Sequence, residues 1–282
     1  MLESCKVSSY RWPSLYQRSR KSFFVNRTFK MKLNFRKSGT GPPLVILHGL
    51  FGSLDNWFSI AKELVEYYTL YLVDQRNHGD SPHSEEWNYA VMVEDLKELL
   101  DDEGLEKIYL MGHSMGGKTV MKFAVTYPER VEKLIVADIA PRFYPIHHQT
   151  ILEGLNSLNL NQIKSRKEAD DQLAEYIPEL GVRQFLLKSL TRDSEGFAWK
   201  INLKVITEKI ENVGEALAEG AVFEGPTLFL AGANSNYIQQ KDLPDLKAHF
   251  PNYELEFITN AGHWLHAEQP HAVVEEMRRF LG

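Results

Sequence analysis

The chain has 282 residues, 43% hydrophobic and 25% charged, with a formal net charge of −6 and one cysteine, Cys5. That balance excludes a disordered, collagen-like or coiled-coil chain and suits one large α/β domain or two small ones. It also speaks against a nucleic-acid partner, since phosphate contact needs a basic surface. A lone cysteine forms no internal disulfide and leaves no CxxC pair for zinc or redox work.

The charge is unevenly spread. Residues 1–30 hold Lys6, Arg11, Arg18, Arg20, Lys21, Arg27 and Lys30 against Glu3, a net +6, which leaves −12 on residues 31–282. Ser4, Ser8, Ser9, Ser14, Ser19 and Ser22 make the same tail serine-rich. Two expectations follow. Either the tail is disordered or not native, translation starts at Met31 and the protein is cytoplasmic, or the basic, acid-poor stretch is a mitochondrial transit peptide. It lacks the apolar centre of a secretory signal.

From Met31 onward, strands are expected at Lys32–Phe35, Leu44–Leu47, Leu70–Val73, Ile108–Met111, Leu134–Ala137, Thr227–Leu230 and Leu255–Ile258. Several are apolar without alternation, the pattern of strands covered on both faces of a parallel sheet. Helices are expected over Trp57–Tyr67, Tyr89–Asp102, Ser114–Thr126 and His271–Leu281, the third stopped by Pro128. The alternation predicts a doubly wound α/β fold. No apolar run nears the roughly 18 residues of a membrane span. Between Pro141 and Gly220 the alternation stops, and the stretch reads as several helices without a buried strand. We read residues 142–220 as a helical cap inserted into a core of residues 31–141 and 221–282. The alternative is extra packing helices without a lid role.

The segment Ile108–Gly117, IYLMGHSMGG, is an apolar strand running through G-x-S-x-G into a helix. A sharp strand-to-helix turn lifts a serine hydroxyl above the sheet, and only small neighbours such as Gly112 and Gly116 tolerate it. The helix behind it favours developing negative charge. Ser114 is therefore the candidate nucleophile. It needs a base, an acid behind the base, and donors for an oxyanion.

The donors are expected at the backbone N–H of Met115 and of Leu50, with Phe51 as alternative, because His48-Gly49-Leu50-Phe51-Gly52 directly follows a strand. His48 itself reads as a brace for that loop. Of ten histidines, His263 alone lies in a loop directly after the last strand, at the sheet edge that Ser114 faces; it is the expected base. His266 is expected to be structural. No HExxH spacing occurs, so neither metal nor cofactor is expected.

The acid is ambiguous. It usually follows the strand after the cap, yet Ala231–Tyr237 contains no carboxylate and Asp242 is the first one reached. Asp138, after the preceding strand, is the preferred candidate. Adjacent parallel strands lie only about 4.8 Å apart, so a carboxylate there still reaches the histidine loop. Asp74-Gln75-Arg76-Asn77-His78-Gly79-Asp80-Ser81 looks catalytic by composition but reads as a loop tied together by Asp74 and Arg76. Candidate liners of an apolar acyl pocket are Phe51, Phe143, Tyr144, Phe185 and Trp199.

Several segments together resemble the α/β-hydrolase family and, within it, the YbfF-type esterases with their animal mitochondrial branch. They are MKLNFR at 31–36, HGLFGSLDNW at 48–57, DQRNHGDSPH at 74–83, GHSMGGK at 112–118, DIAP at 138–141, VRQFLLKSL at 182–190 and NAGHWLHAE at 260–268. The resemblance implies an α/β-hydrolase fold with Ser114, Asp138 and His263 as nucleophile, acid and base. It implies hydrolysis of a small-molecule carboxylic ester or acyl thioester, acyl-CoA included, without a cofactor. The acidic body makes an anionic CoA ester less obvious. The rival readings are C–C bond hydrolysis or perhydrolysis on the same fold, and a non-catalytic binding module, which would be expected to lose a triad member.

Overall fold

Apolar runs without alternation have no face to offer water and belong inside a covered sheet. The computed structural model, which describes residues 30–192, 194 and 196–282, places them there. Residues 1–29, and with them the transit-peptide expectation, lie outside the described residues.

In chain order the elements are β1 (Phe35–Ser38), β2 (Pro43–Leu47), α1 (Phe58–Leu64), β3 (Thr69–Val73), α2 (Tyr89–Asp102), β4 (Ile108–His113), α3 (Met115–Thr126) and β5 (Val131–Ala137). Then come α4 (Gln149–Ser157), α5 (Arg166–Leu173), α6 (Leu180–Leu187), β6 (Leu190–Arg192), β7 (Phe197–Trp199) and α7 (Leu203–Glu208). The chain closes with β8 (Thr227–Gly232), α8 (Leu243–His249), β9 (Tyr253–Ile258), α9 (Leu265–Glu268) and α10 (Pro270–Leu281).

Seven strands form one sheet in the order β1-β3-β2-β4-β5-β8-β9. All its pairings are parallel except β1 with β3. One face carries a core cluster that includes Leu96, Leu100, Val120 and Phe123 from α2 and α3. The other packs Ile60 and Leu64 of α1 with Val273 and Met277 of α10. The helix ends follow local chemistry: the Asn88 side chain accepts the Val91 N–H at the start of α2, and Pro270 opens α10, where no N–H is needed.

Two expectations need correction. The first strand begins at Phe35, not Lys32: it is an edge strand whose register against β3 pairs Phe35 with Val73, while the apolar Leu33 is buried in the coil before it. Residues 142–220 are also not purely helical, because β6 and β7 pair as an antiparallel hairpin. Strands of three residues are too short to show a period.

This inserted stretch has its own apolar cluster. Leu152, Leu155, Leu173, Leu186 and Val205 pack with Leu50, Phe51, Trp87 and Met115, which come from loops and helix starts at the C-terminal edge of the sheet. Among the described residues, no helix is long and apolar enough to cross a membrane.

Candidate active site

β4 runs straight into α3, and Ser114 sits between them with φ 53° and ψ −116°. A non-glycine residue in that region costs on the order of 1–3 kcal/mol and persists only where its surroundings hold it. Here Ser114 N–H donates to Ala137 O on β5 and Ser114 O accepts the Lys118 N–H. The turn is closed tightly: a Cβ on Gly112 would lie 2.2 Å from Gly116 O, and one on Gly116 would lie 2.5 Å from His48 O.

Ser114 Oγ lies 3.0 Å from His263 Nε2, and His263 Nδ1 lies 2.7 Å from Asp138 Oδ2. Asp138 is wholly buried. It follows β5, and the histidine follows β9, so the carboxylate reaches across the end of β8 that separates them. The β8 loop wraps it. Gly232 N–H donates to Oδ1 at 3.0 Å and Ser235 Oγ–H to Oδ2 at 2.5 Å. Asp242, the other candidate acid, is elsewhere: it is buried, pairs with Arg142 at 2.8 Å and accepts the Gln239 N–H.

Around this chain burial holds His48, His78, His266 and His113 neutral. His48 Nδ1–H donates to Gly49 O and Nε2 accepts the Gln75 N–H, with its pKa pushed down to about 4. His78 donates from Nδ1 to Arg76 O and accepts from Phe51 N–H, with its pKa pushed down to about 3. His266 stacks on Trp57 at 4.6 Å and is also pushed down to about 3. His113 donates from Nε2 to His263 O at 2.7 Å, and burial holds its pKa well below the usual imidazole range.

Gly49–Gly52 is a turn closed by Gly52 N–H to Gly49 O. Its Phe51 N–H is engaged by His78, so Phe51 is excluded as an oxyanion donor; Leu50 N–H has no partner among the described residues. Met115 N–H, at the first position of α3, has none in its helix either. Asp74 accepts from Leu54 N–H, Asn34 Nδ2 and Asp80 N–H, and Arg76 grips Asp95. That loop is a structural tie, and its Gln75 and His78 brace the His48–Phe51 turn.

A family model described as alpha/beta hydrolase fold matches residues 42–153. The chain is 38% identical to the sn-1-specific diacylglycerol lipase ABHD11 of Danio rerio over 91% of this chain and 83% of that protein. It is equally identical to esterase YbfF of Escherichia coli strain K12, over 89% and 99%. The chain belongs to the α/β-hydrolase family. A solved marine microorganism esterase superposes with a TM-score of 0.87 at 45% identity, covering 89% of this chain and 99% of the other. Like these relatives, the hydrolase is a carboxylic ester hydrolase.

Beside Ser114 the hydrolase has a cavity of about 460 Å³. Phe51 and Phe185 line it, with Ile151, Ile177, Val182 and Trp264. Phe143 and Trp199 do not, which corrects two expected liners: Phe143 is 58% exposed, and Trp199 is in β7, paired with Leu190. Tyr144 is a brace, its hydroxyl accepting from Ala140 N–H and donating to Tyr237 O. Sequence reasoning missed Ser235, Tyr237 and His113. A serine and a tyrosine in a loop carry no motif, and only the β8 register brings them to Asp138 and His263.

Proposed function

We propose that the hydrolase cleaves neutral, apolar carboxylic esters through an acyl-enzyme on Ser114. One observation carries the reading: the unbroken Ser114–His263–Asp138 hydrogen-bond chain at the wall of an apolar cavity. Ser114 Oγ attacks the carbonyl carbon as its proton passes to His263 Nε2, and the oxyanion accepts from the N–H groups of Leu50 and Met115. The ester C–O bond breaks, and His263 returns the proton to the leaving alcohol oxygen. Water, deprotonated by His263, then attacks the acyl group, which leaves as the free acid and restores Ser114. Asp138 holds His263 in the tautomer with Nδ1–H and stabilises the imidazolium.

The inserted residues 142–220 act as a cap, with Ile151, Val182 and Phe185 forming the acyl wall. Among the described cavity residues Glu179 is a carboxylate and none is lysine or arginine. This lining favours uncharged oxygen esters over CoA thioesters, whose phosphates would need cations.

The test is labelling by a fluorophosphonate probe with hydrolysis of p-nitrophenyl esters of graded acyl length, alongside acyl-CoA thioesters of the same lengths. Wild type is expected to label and Ser114→Ala to lose both labelling and turnover. Labelling that persists in Ser114→Ala would sink the nucleophile assignment, and faster turnover of the CoA series would overturn the preference for neutral esters.

A further inference from the structure

We propose that Tyr237 is a positioning residue that stabilises the protonated form of His263 through the face of its ring. The inference rests on His263 being the base that takes the Ser114 proton.

The two rings are stacked, with centroids 3.9 Å apart and planes 16° from parallel. Tyr237 is held there at several points. Its hydroxyl lies 2.8 Å from His147 Nε2, its carbonyl accepts the Tyr144 hydroxyl, and its N–H donates to Ser235 Oγ. Ser235 is the residue that donates to Asp138. The two backbone bonds fix where the residue sits, and the ring cannot turn away from His263 without giving up its hydroxyl contact to His147 at the start of the insert. On another side of His263 lies His113, at 4.7 Å and tilted by 43°. That ring is held neutral by burial and bonded to the His263 carbonyl, so it contributes no charge.

The stack matters because of when His263 carries charge. Before the attack its Nε2 accepts the hydrogen bond of the Ser114 hydroxyl. As Oγ bonds to the carbonyl carbon, that proton moves to Nε2 and the ring becomes an imidazolium until the proton leaves on the alcohol oxygen. A cation over an aromatic face gains about 0.5 to 2 kcal/mol that the neutral ring does not. An interaction stronger in the transition state than in the ground state raises kcat and leaves substrate binding alone. The loop after β8 thus supplies no acid of its own, yet it serves the base twice: Ser235 bonds the displaced carboxylate and Tyr237 faces the imidazolium.

The test replaces Tyr237 and reads kcat and KM separately on a p-nitrophenyl ester. Tyr237→Leu, which fills space without a π face, should lower kcat by about 2- to 30-fold with KM little changed. Tyr237→Phe should lose less than Tyr237→Leu, because the face remains. Phenylalanines carrying one, two or three ring fluorines at position 237 keep the shape and drain the face of electron density, so kcat should fall stepwise along that series. A series flat from unfluorinated to trifluorinated, or a Tyr237→Phe as slow as Tyr237→Leu, would overturn the proposal, and the fluorinated set decides it even if Tyr237→Leu fails to fold. His263→Ala is run beside them. If it retains turnover, the assignment of the base fails. If it is inactive while the fluorinated series is flat, only the role of Tyr237 fails.

Discussion

A single carboxylate shows how much one residue's surroundings decide. Asp138 and Asp242 are both buried aspartates, but Asp138 meets His263 and Asp242 meets Arg142. Asp138→Asn keeps the shape and removes the charge that fixes the histidine tautomer, so kcat is expected to fall on the order of 10⁴-fold. Asp242→Asn should leave kcat near wild type and lower the melting temperature, because it leaves the Arg142 guanidinium without its counter-ion. Steady-state kinetics of the two variants side by side check this, and an Asp138→Asn enzyme of wild-type rate would move the acid elsewhere. Asp138 was legible as a preference, since it ends a strand one place from the expected one. Ser235 was not, because its role exists only once β5, β8 and β9 lie side by side.

At the scale of elements, the β4–α3 junction carries the site. Gly112 and Gly116 are there for close approach, with backbone oxygens where their Cβ atoms would stand. Gly112→Ala forces the turn apart, and overpacking of this kind costs about 1–3 kcal/mol. Urea unfolding should show a lower midpoint with an unchanged slope; a neutral Gly112→Ala would mean that the turn has slack the geometry does not suggest. Elements long enough to show a period read well from sequence: α2 spans Tyr89–Asp102 as expected. Those that fell short were the ones set by partners. β1 is placed by its register against β3, and the β6–β7 hairpin by pairing over three residues each. Phe143 and Trp199 are apolar aromatics in the right stretch, yet which aromatic faces a cavity depends on how the insert folds back, and of the expected liners Phe51 and Phe185 do.

For the whole molecule, buried neutral histidines make stability depend on pH. His48, His78 and His266 keep pKa values of about 4, 3 and 3, against an ordinary value of 6.5. Below pH 6.5 the unfolded chain binds protons that the folded chain refuses, so their stabilisation is complete above that pH and is lost as pH falls toward 4. The slope is on the order of 1 kcal/mol per pH unit for each histidine. Urea midpoints measured from pH 7.5 to 4.5 should fall steadily below about pH 6.5, and a flat profile to pH 5 would show that these rings do not stay neutral.

Local order sufficed for the α/β class, for the strand-turn-helix that presents Ser114, and for His263 as the histidine of the last strand's loop. Each of those depends on residues adjacent in the chain. Tertiary structure alone decided which carboxylate meets the histidine, that Phe51 N–H is occupied while Leu50 N–H has no partner among the described residues, and that Tyr237 lies across the base. Those depend on strand order and loop register, which bring together residues 26 to 125 positions apart.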